Sequence, residues 1–289
     1  MGQAVAIYRD YDLDALERQY DIEATVADLA QLLTGYDKWS EEVMADLAPS
    51  RDLAYGPDPL QRLDVFPVAS PNAPIMIYIH GGYWKRGDKA GRAFAARPFH
   101  DHGIIWVSVN YRLAPAVGLD DIVADTRAAI AWVHANAERF GGDRDRLYLS
   151  GSSAGGHLAG MAMAPGWHGD YGLPEDVVKG ATAMSGLYDL RPFLHTSQRD
   201  YLRLDKQSAA RNSPLEHLPT MTGPILIAWG GKETDEFERQ SKAYAAACTD
   251  KRLNVETMRL VEQNHFSLMS EMGAADSLLT QAMLRMVSG

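Results

Sequence analysis

The sequence predicts an α/β fold: one domain with a mostly parallel central sheet, helices on both faces and a small cap or lid insertion. Three observations predict it. Apolar runs rich in Ile and Val end in Gly-rich turns and are followed by stretches of helical periodicity, the alternation expected of parallel strands joined by crossover helices. The 289 residues, 46% hydrophobic and 23% charged, are enough for one large core. A Gly-x-Ser-x-Gly segment centred on Ser153 stands between a strand-like and a helix-like stretch.

The elements follow in order. Leu13, Leu16, Tyr20, Val26, Leu29 and Leu33 recur at three- and four-residue spacing, which predicts a helical N-terminal arm over residues 1–48. Pro49, Gly56, Pro57 and Pro59 then punctuate two short strands, at 52–55 and 61–66, that suit an opening hairpin. The parallel strands are expected at 75–79, 104–110, 147–149, 181–184, 225–229 and 255–260. A helix is expected over 120–140, closed by Gly141 and Gly142, another from His157 onward, and a last one over 267–286. Residues 185–220 break the rhythm, being polar, Pro-punctuated and only patchily helical. Their core, about 187–218, reads as a cap or lid that shapes the acyl or leaving-group pocket.

A formal net charge of −10 makes the summed field repel polyanions, so nucleic acid is not an expected partner. The single cysteine, Cys248, excludes an intramolecular disulfide. The first residues lack the basic start and apolar run of a secretory signal, and Ala6 stands where a myristoylation signal beginning at Gly2 requires Ser or Thr. No window approaches the roughly 18 to 20 uncharged apolar residues of a membrane span. These features together predict a cytoplasmic protein without membrane partners. The exposed surface of the arm or the lid offers a place for a homodimer contact.

Chemistry concentrates in four places. In Gly151-Ser152-Ser153-Ala154-Gly155, Ser153 sits on a sharp turn at the positive end of the next helix, where a nucleophilic hydroxyl stands clear of the sheet. The run Ile75 to Ile79 ends in His80-Gly81-Gly82-Tyr83-Trp84. Acyl transfer builds negative charge on a carbonyl oxygen, and backbone N–H groups fixed around that position stabilise it. The candidate donors are Gly82, Tyr83 and Ala154, with Gly81 the weaker candidate, while His80 suits a brace for the loop. His265 lies in a polar turn after the last strand and before the final helix, the place for a general base. After the strand 225–229 the loop offers Glu233, nearest the strand end, and Asp235 as the alternative acid to orient the histidine. Tyr83 and Trp84 suit an aromatic leaving group. Neither metal nor organic cofactor is required by this constellation.

The chain resembles the arylformamidase (kynurenine formamidase) branch of α/β hydrolases, close to the hormone-sensitive-lipase-like esterases. The resemblance is carried by LERQYD, by HGGYW at His80–Trp84, by SVNYRLAP at Ser108–Pro115, by GSSAGGHLA at Gly151–Ala159, by SGLYDLRPF at Ser185–Phe193 and by ETDEFERQS at Glu233–Ser241. The esterases usually carry a third glycine where this chain has Tyr83, and both groups more often place Asp where it has Glu233. The resemblance implies an α/β-hydrolase fold and hydrolysis of a small ester or amide, N-formylkynurenine above all. A short-acyl carboxylesterase shares every one of these motifs, and a hydrolase-fold binding protein that has lost catalysis is the remaining reading.

Overall fold

A computed structural model describes residues 5–289, so that Gly2 lies outside the described residues. Eight strands form one sheet in the order β1-β2-β4-β3-β5-β6-β7-β8. They are β1 Ser50–Ala54, β2 Arg62–Phe66, β3 Ala73–Ile79, β4 Ile105–Val109, β5 Gly142–Ser152, β6 Val178–Met184, β7 Ile225–Gly230 and β8 Val255–Leu260. The first two strands are the expected hairpin and run antiparallel, while β3 to β8 pair in parallel. β4 and β7 are buried along their whole length, as the interior of a sheet covered on both faces demands.

The helices are α1 Leu13–Tyr20, α2 Leu29–Leu47, α3 Ala96–Asp101, α4 Leu119–Asn136, α5 Ala154–Met163, α6 Gln198–Leu202, α7 Lys206–Arg211, α8 Asp235–Asp250, α9 Leu268–Gly273 and α10 Leu278–Ser288. None is long and apolar enough to cross a membrane among the described residues. The N-terminal arm holds α1, whose N-cap Asp12 accepts the Ala15 N–H at 2.8 Å, and α2. α4 ends at Asn136, and Gly141 takes a left-handed φ of 77° after the intervening 3₁₀ turn Ala137–Phe140.

The helix expected over 267–286 is in fact two. α9 stops at Gly273, against the rings of Trp39 and Phe94, and Ser277 restarts the chain as N-cap of α10 by accepting the Thr280 N–H at 3.0 Å. The apolar period continues across the break, which is why periodicity alone merged the two. Residues 90–101, unassigned by pattern, form the 3₁₀ turn Ala90–Ala95 and α3, and bury Phe94 and Phe99.

Sheet topology fixes the place of chemistry. From β3 the chain passes to β4 on one side and afterwards to β5 on the other, so the carboxyl ends of β3 and β5 flank the point where strand order reverses. Ile79 pairs with Gly151 there, which sets His80–Trp84 beside the Ser153 turn.

Candidate active site

Ser153 has φ 58° and ψ −119°, a conformation that costs a residue with a side chain on the order of 1–3 kcal/mol. Gly155 makes this turn sterically feasible, because a Cβ there would run into the Ile79 carbonyl. Ser153 N–H donates to Met184 O at 2.8 Å, tying the turn to β6. α5 starts immediately afterwards, with Ala154 as its first residue, fully buried.

The loop after β3 closes onto this turn. A Cβ on Gly81 would lie 2.7 Å from Ser152 O, so only glycine permits the approach. Gly82, Tyr83 and Trp84 follow with φ of 116°, 52° and 57°. Two aromatic residues in the left-handed region are held by their surroundings: Tyr83 Oη donates to Tyr20 O at 2.6 Å, Trp84 Nε1–H donates to His157 Nδ1 at 3.2 Å, and Ala114 N–H donates to Trp84 O at 2.8 Å. The N–H groups of Gly82, Tyr83 and Ala154 have no acceptor among the described residues. His80 is buried, stacks on Tyr111 at 4.3 Å and sets Nδ1 2.7 Å from Gly81 O, while Tyr111 Oη donates to His80 O at 2.8 Å.

His265 is presented by a turn its neighbours build. Asn264 Oδ1 accepts the N–H groups of Phe266 and Ser267 at 2.9 and 2.8 Å, and Ser267 Oγ accepts the Asn264 N–H at 2.9 Å. The loop after β7 is laid directly on this turn by Lys232 N–H donating to Gln263 O at 2.9 Å. It places Glu233 Oε1 3.3 Å from His265 Nδ1, with both side chains buried. The alignment falls short of a hydrogen bond, and Glu233 Oε2 is likewise without a partner. Such contacts commonly tighten only when substrate is bound.

The alternative acid, Asp235, begins α8 on the protein surface, where it lines an open depression with Glu238, Arg239 and Lys242. The structure therefore brings Ser153, His265 and Glu233 together and leaves Asp235 outside.

One residue escaped the sequence reading. Ser185, just beyond β6, donates its hydroxyl to Glu233 Oε1 at 2.5 Å. Its only signal was its place at the head of the SGLYDLRPF segment. A hydrogen bond to a buried charge contributes about 1.5–3 kcal/mol, so Ser185→Ala should lower kcat roughly ten- to hundredfold with KM little changed, as steady-state kinetics would show.

A cavity of about 430 Å³ opens over these groups and is lined by Gly81, Gly82, Tyr83, Ser153, His265 and Phe266 among others. Two expectations fail here. Trp84 is fully buried outside the cavity, packed on Tyr83, Phe193 and His157, with its indole N–H given to His157 Nδ1. No residue of 187–218 lines the cavity either; the far wall is Ile22, Glu23, Leu29, Leu33 and Asp37 of the N-terminal arm. The segment reaches a neighbouring depression instead, through Ser197, Gln198 and Tyr201.

Segments without obvious chemistry prove to be joints. Tyr20 Oη donates to Glu236 Oε2 at 2.7 Å, Gln240 Nε2–H donates to Tyr20 Oη at 3.0 Å, Thr234 Oγ1 donates to Gln19 O at 2.7 Å, and Asp189 N–H donates to Gln240 Oε1 at 2.7 Å. LERQYD, ETDEFERQS and SGLYDLRPF thus form one network that clamps the arm to the Glu233 loop. SVNYRLAP does the same for the oxyanion-side loop: Asn110 Oδ1 accepts the Lys89 N–H at 2.6 Å and Asn110 Nδ2–H donates to Asp88 at 2.8 Å.

Two histidines near the site carry a stability signature. Burial pushes both His80 and His157 down to about 4 from the ordinary 6.5. The folded protein keeps them neutral where an unfolded chain would already have protonated them. Their contribution is therefore full above pH 6.5 and is lost as pH falls from 6.5 toward 4. Between pH 7.5 and 5.5 each should remove about 1 kcal/mol of stability. Urea titrations at the two pH values test this, and His157→Gln, which cannot titrate, should shrink the difference; an unchanged difference would refute the assignment for His157.

Comparisons with known proteins agree with this architecture. Residues 63–177 match the family model described as BD-FAE. The chain is 33% identical to a kynurenine formamidase of Danio rerio over 82% of this chain and 81% of that one, and 30% identical to one of Salmo salar over 97% and 98%. It is 35% identical to the esterase LipC of Mycobacterium tuberculosis, over 78% of this chain and 58% of that one. Among solved structures, a candidate thioesterase from a Silicibacter species superposes with TM-score 0.82 at 24% identity, covering 95% of this chain and 99% of that one. Esterase B of Lactobacillus rhamnosis superposes with TM-score 0.69 at 20% identity, covering 93% and 96%. The fold is that of the α/β hydrolases, and the extent of the similarity to the two fish enzymes shows that this chain is a hydrolase belonging to the kynurenine formamidase family.

Proposed function

We propose that the protein is a serine hydrolase that cleaves an aryl formamide of the N-formylkynurenine type to formate and the free arylamine. One observation carries the reading: Ser153 on its strained turn and His265 share a cavity, and the buried Glu233 carboxylate lies 3.3 Å behind the histidine. His265 Nε2 takes the Ser153 proton, and the alkoxide adds to the formyl carbon. The Gly82, Tyr83 and Ala154 N–H groups hold the oxyanion. Collapse breaks the C–N bond as His265 returns the proton to the departing amine nitrogen. Water, deprotonated by the same imidazole, then releases formate from Ser153. Glu233 keeps the Nδ1–H tautomer in place and stabilises the imidazolium. The fish relatives are named for this activity, and the apolar arm wall of Ile22, Leu29 and Leu33 suits an aryl group.

The similarity to LipC favours a second reading, a short-acyl carboxylesterase using the same residues. Steady-state hydrolysis of N-formylkynurenine beside p-nitrophenyl acetate separates the two. The proposal expects a much higher kcat/KM for the formamide. Ester turnover without formamide turnover would leave the esterase reading.

A further inference from the structure

The cavity holds charges that the reaction above does not use. Five charged side chains line it: Glu23, Asp37, Asp88, Arg86 and Arg92. Arg86 and Glu23 form a salt bridge with each other. Asp88 accepts the Asn110 side-chain N–H and the Ala90 N–H, both at 2.8 Å. Arg92 and Asp37 are left, each without an ion-pair partner among the described residues and not paired with one another.

They stand on facing elements. Asp37 belongs to α2, and a Cβ on Gly91, the neighbour of Arg92, would lie 3.6 Å from its Oδ1. The Arg92 guanidinium sits over the Tyr36 ring, 5.4 Å from its centroid, and Tyr36 Oη donates to Phe266 O at 3.0 Å, one residue from His265. Tyr36 and Asp37 are neighbours on α2, so the arm helix both holds Arg92 by the Tyr36 ring and ties the pair to the histidine turn. Beside the apolar wall of Ile22, Leu29 and Leu33, one cation and one anion without ion-pair partners among the described residues complement a ligand that carries both charges a short distance apart.

We propose that Arg92 and Asp37 form a subsite for the zwitterionic head of an α-amino-acid substrate, Arg92 taking the carboxylate and Asp37 the ammonium. The planar guanidinium can accept a carboxylate with two parallel hydrogen bonds while its other face rests on Tyr36. The inference rests on the proposed reaction for the identity of the acyl group, but its recognition chemistry can be measured apart from it.

The experiment is competition against p-nitrophenyl acetate hydrolysis by two probes: L-kynurenine, and 2-aminoacetophenone, the same aryl ketone without the amino-acid head. The wild type should bind kynurenine at least tenfold more tightly. Arg92→Gln and Asp37→Asn should each reduce that preference about tenfold, and Arg92→Lys, which keeps the charge, should retain part of it. The neutral ketone measures the integrity of the cavity in each variant. Equal inhibition by the two probes in the wild type, or a preference that survives both neutralising substitutions, would overturn the subsite. A preference for kynurenine in an enzyme that leaves N-formylkynurenine intact would uphold the subsite and contradict the reaction; formamide turnover with no head-group preference would do the reverse.

Discussion

Ser153→Ala and His265→Ala should each lower kcat by about 10⁴- to 10⁶-fold, and the double variant should be no worse than either alone. The non-additivity follows from the mechanism. Without the hydroxyl the imidazole has nothing to deprotonate, and without the imidazole the hydroxyl is a weak nucleophile, so each substitution abolishes the same step. A residual rate above the uncatalysed reaction should remain, because the donors of Gly82, Tyr83 and Ala154 still polarise a bound carbonyl. Rates measured on all three variants check this. Multiplying effects would mean that the two residues act in separate steps.

Glu233→Gln should lower kcat by about 10⁴-fold with the fold intact, whereas Asp235→Asn should change it little. Glutamine fills the same space but cannot stabilise the imidazolium, and its amide can hold the ring in the wrong tautomer. Glu233 is enclosed, with Ser185 donating to the oxygen that faces His265. Asp235 is on the surface at the start of α8, where losing a favourable charge at a helix N-terminus costs only about 0.3–1 kcal/mol. A large loss of kcat in Asp235→Asn with Glu233→Gln active would reverse the assignment.

The strands and the Ser153 and His80–Trp84 loops were legible because backbone crowding restricts what can occupy such turns, and glycines at 81, 151 and 155 mark where chain meets chain. The strand end favours Glu233 over Asp235 locally, and the structural reason that it meets His265 is the loop after β7 resting on the histidine turn through Lys232 and Gln263, a contact no local pattern encodes. Tyr83 and Trp84 are adjacent aromatic residues with the same left-handed backbone and are alike in sequence, yet Tyr83 borders the cavity while Trp84 lies wholly in the core. Segment 187–218 interrupts the α/β rhythm, which in sequence marks it as the shaper of the pocket. The wall instead comes from the N-terminal arm, at the other end of the chain from His265, held by Tyr20, Glu236 and Gln240. Long-range hydrogen bonds between buried polar groups made that choice.

The central claim is that Ser153 forms the covalent bond to substrate. Intact-mass and peptide analysis after reaction with an aryl fluorophosphonate tests it most directly, since Ser152 lines the same cavity one residue away and serves as the internal alternative. One equivalent of adduct is expected, on Ser153, formed in step with loss of activity and absent from Ser153→Ala and His265→Ala. An adduct on Ser152, or inactivation without any adduct at Ser153, would contradict it.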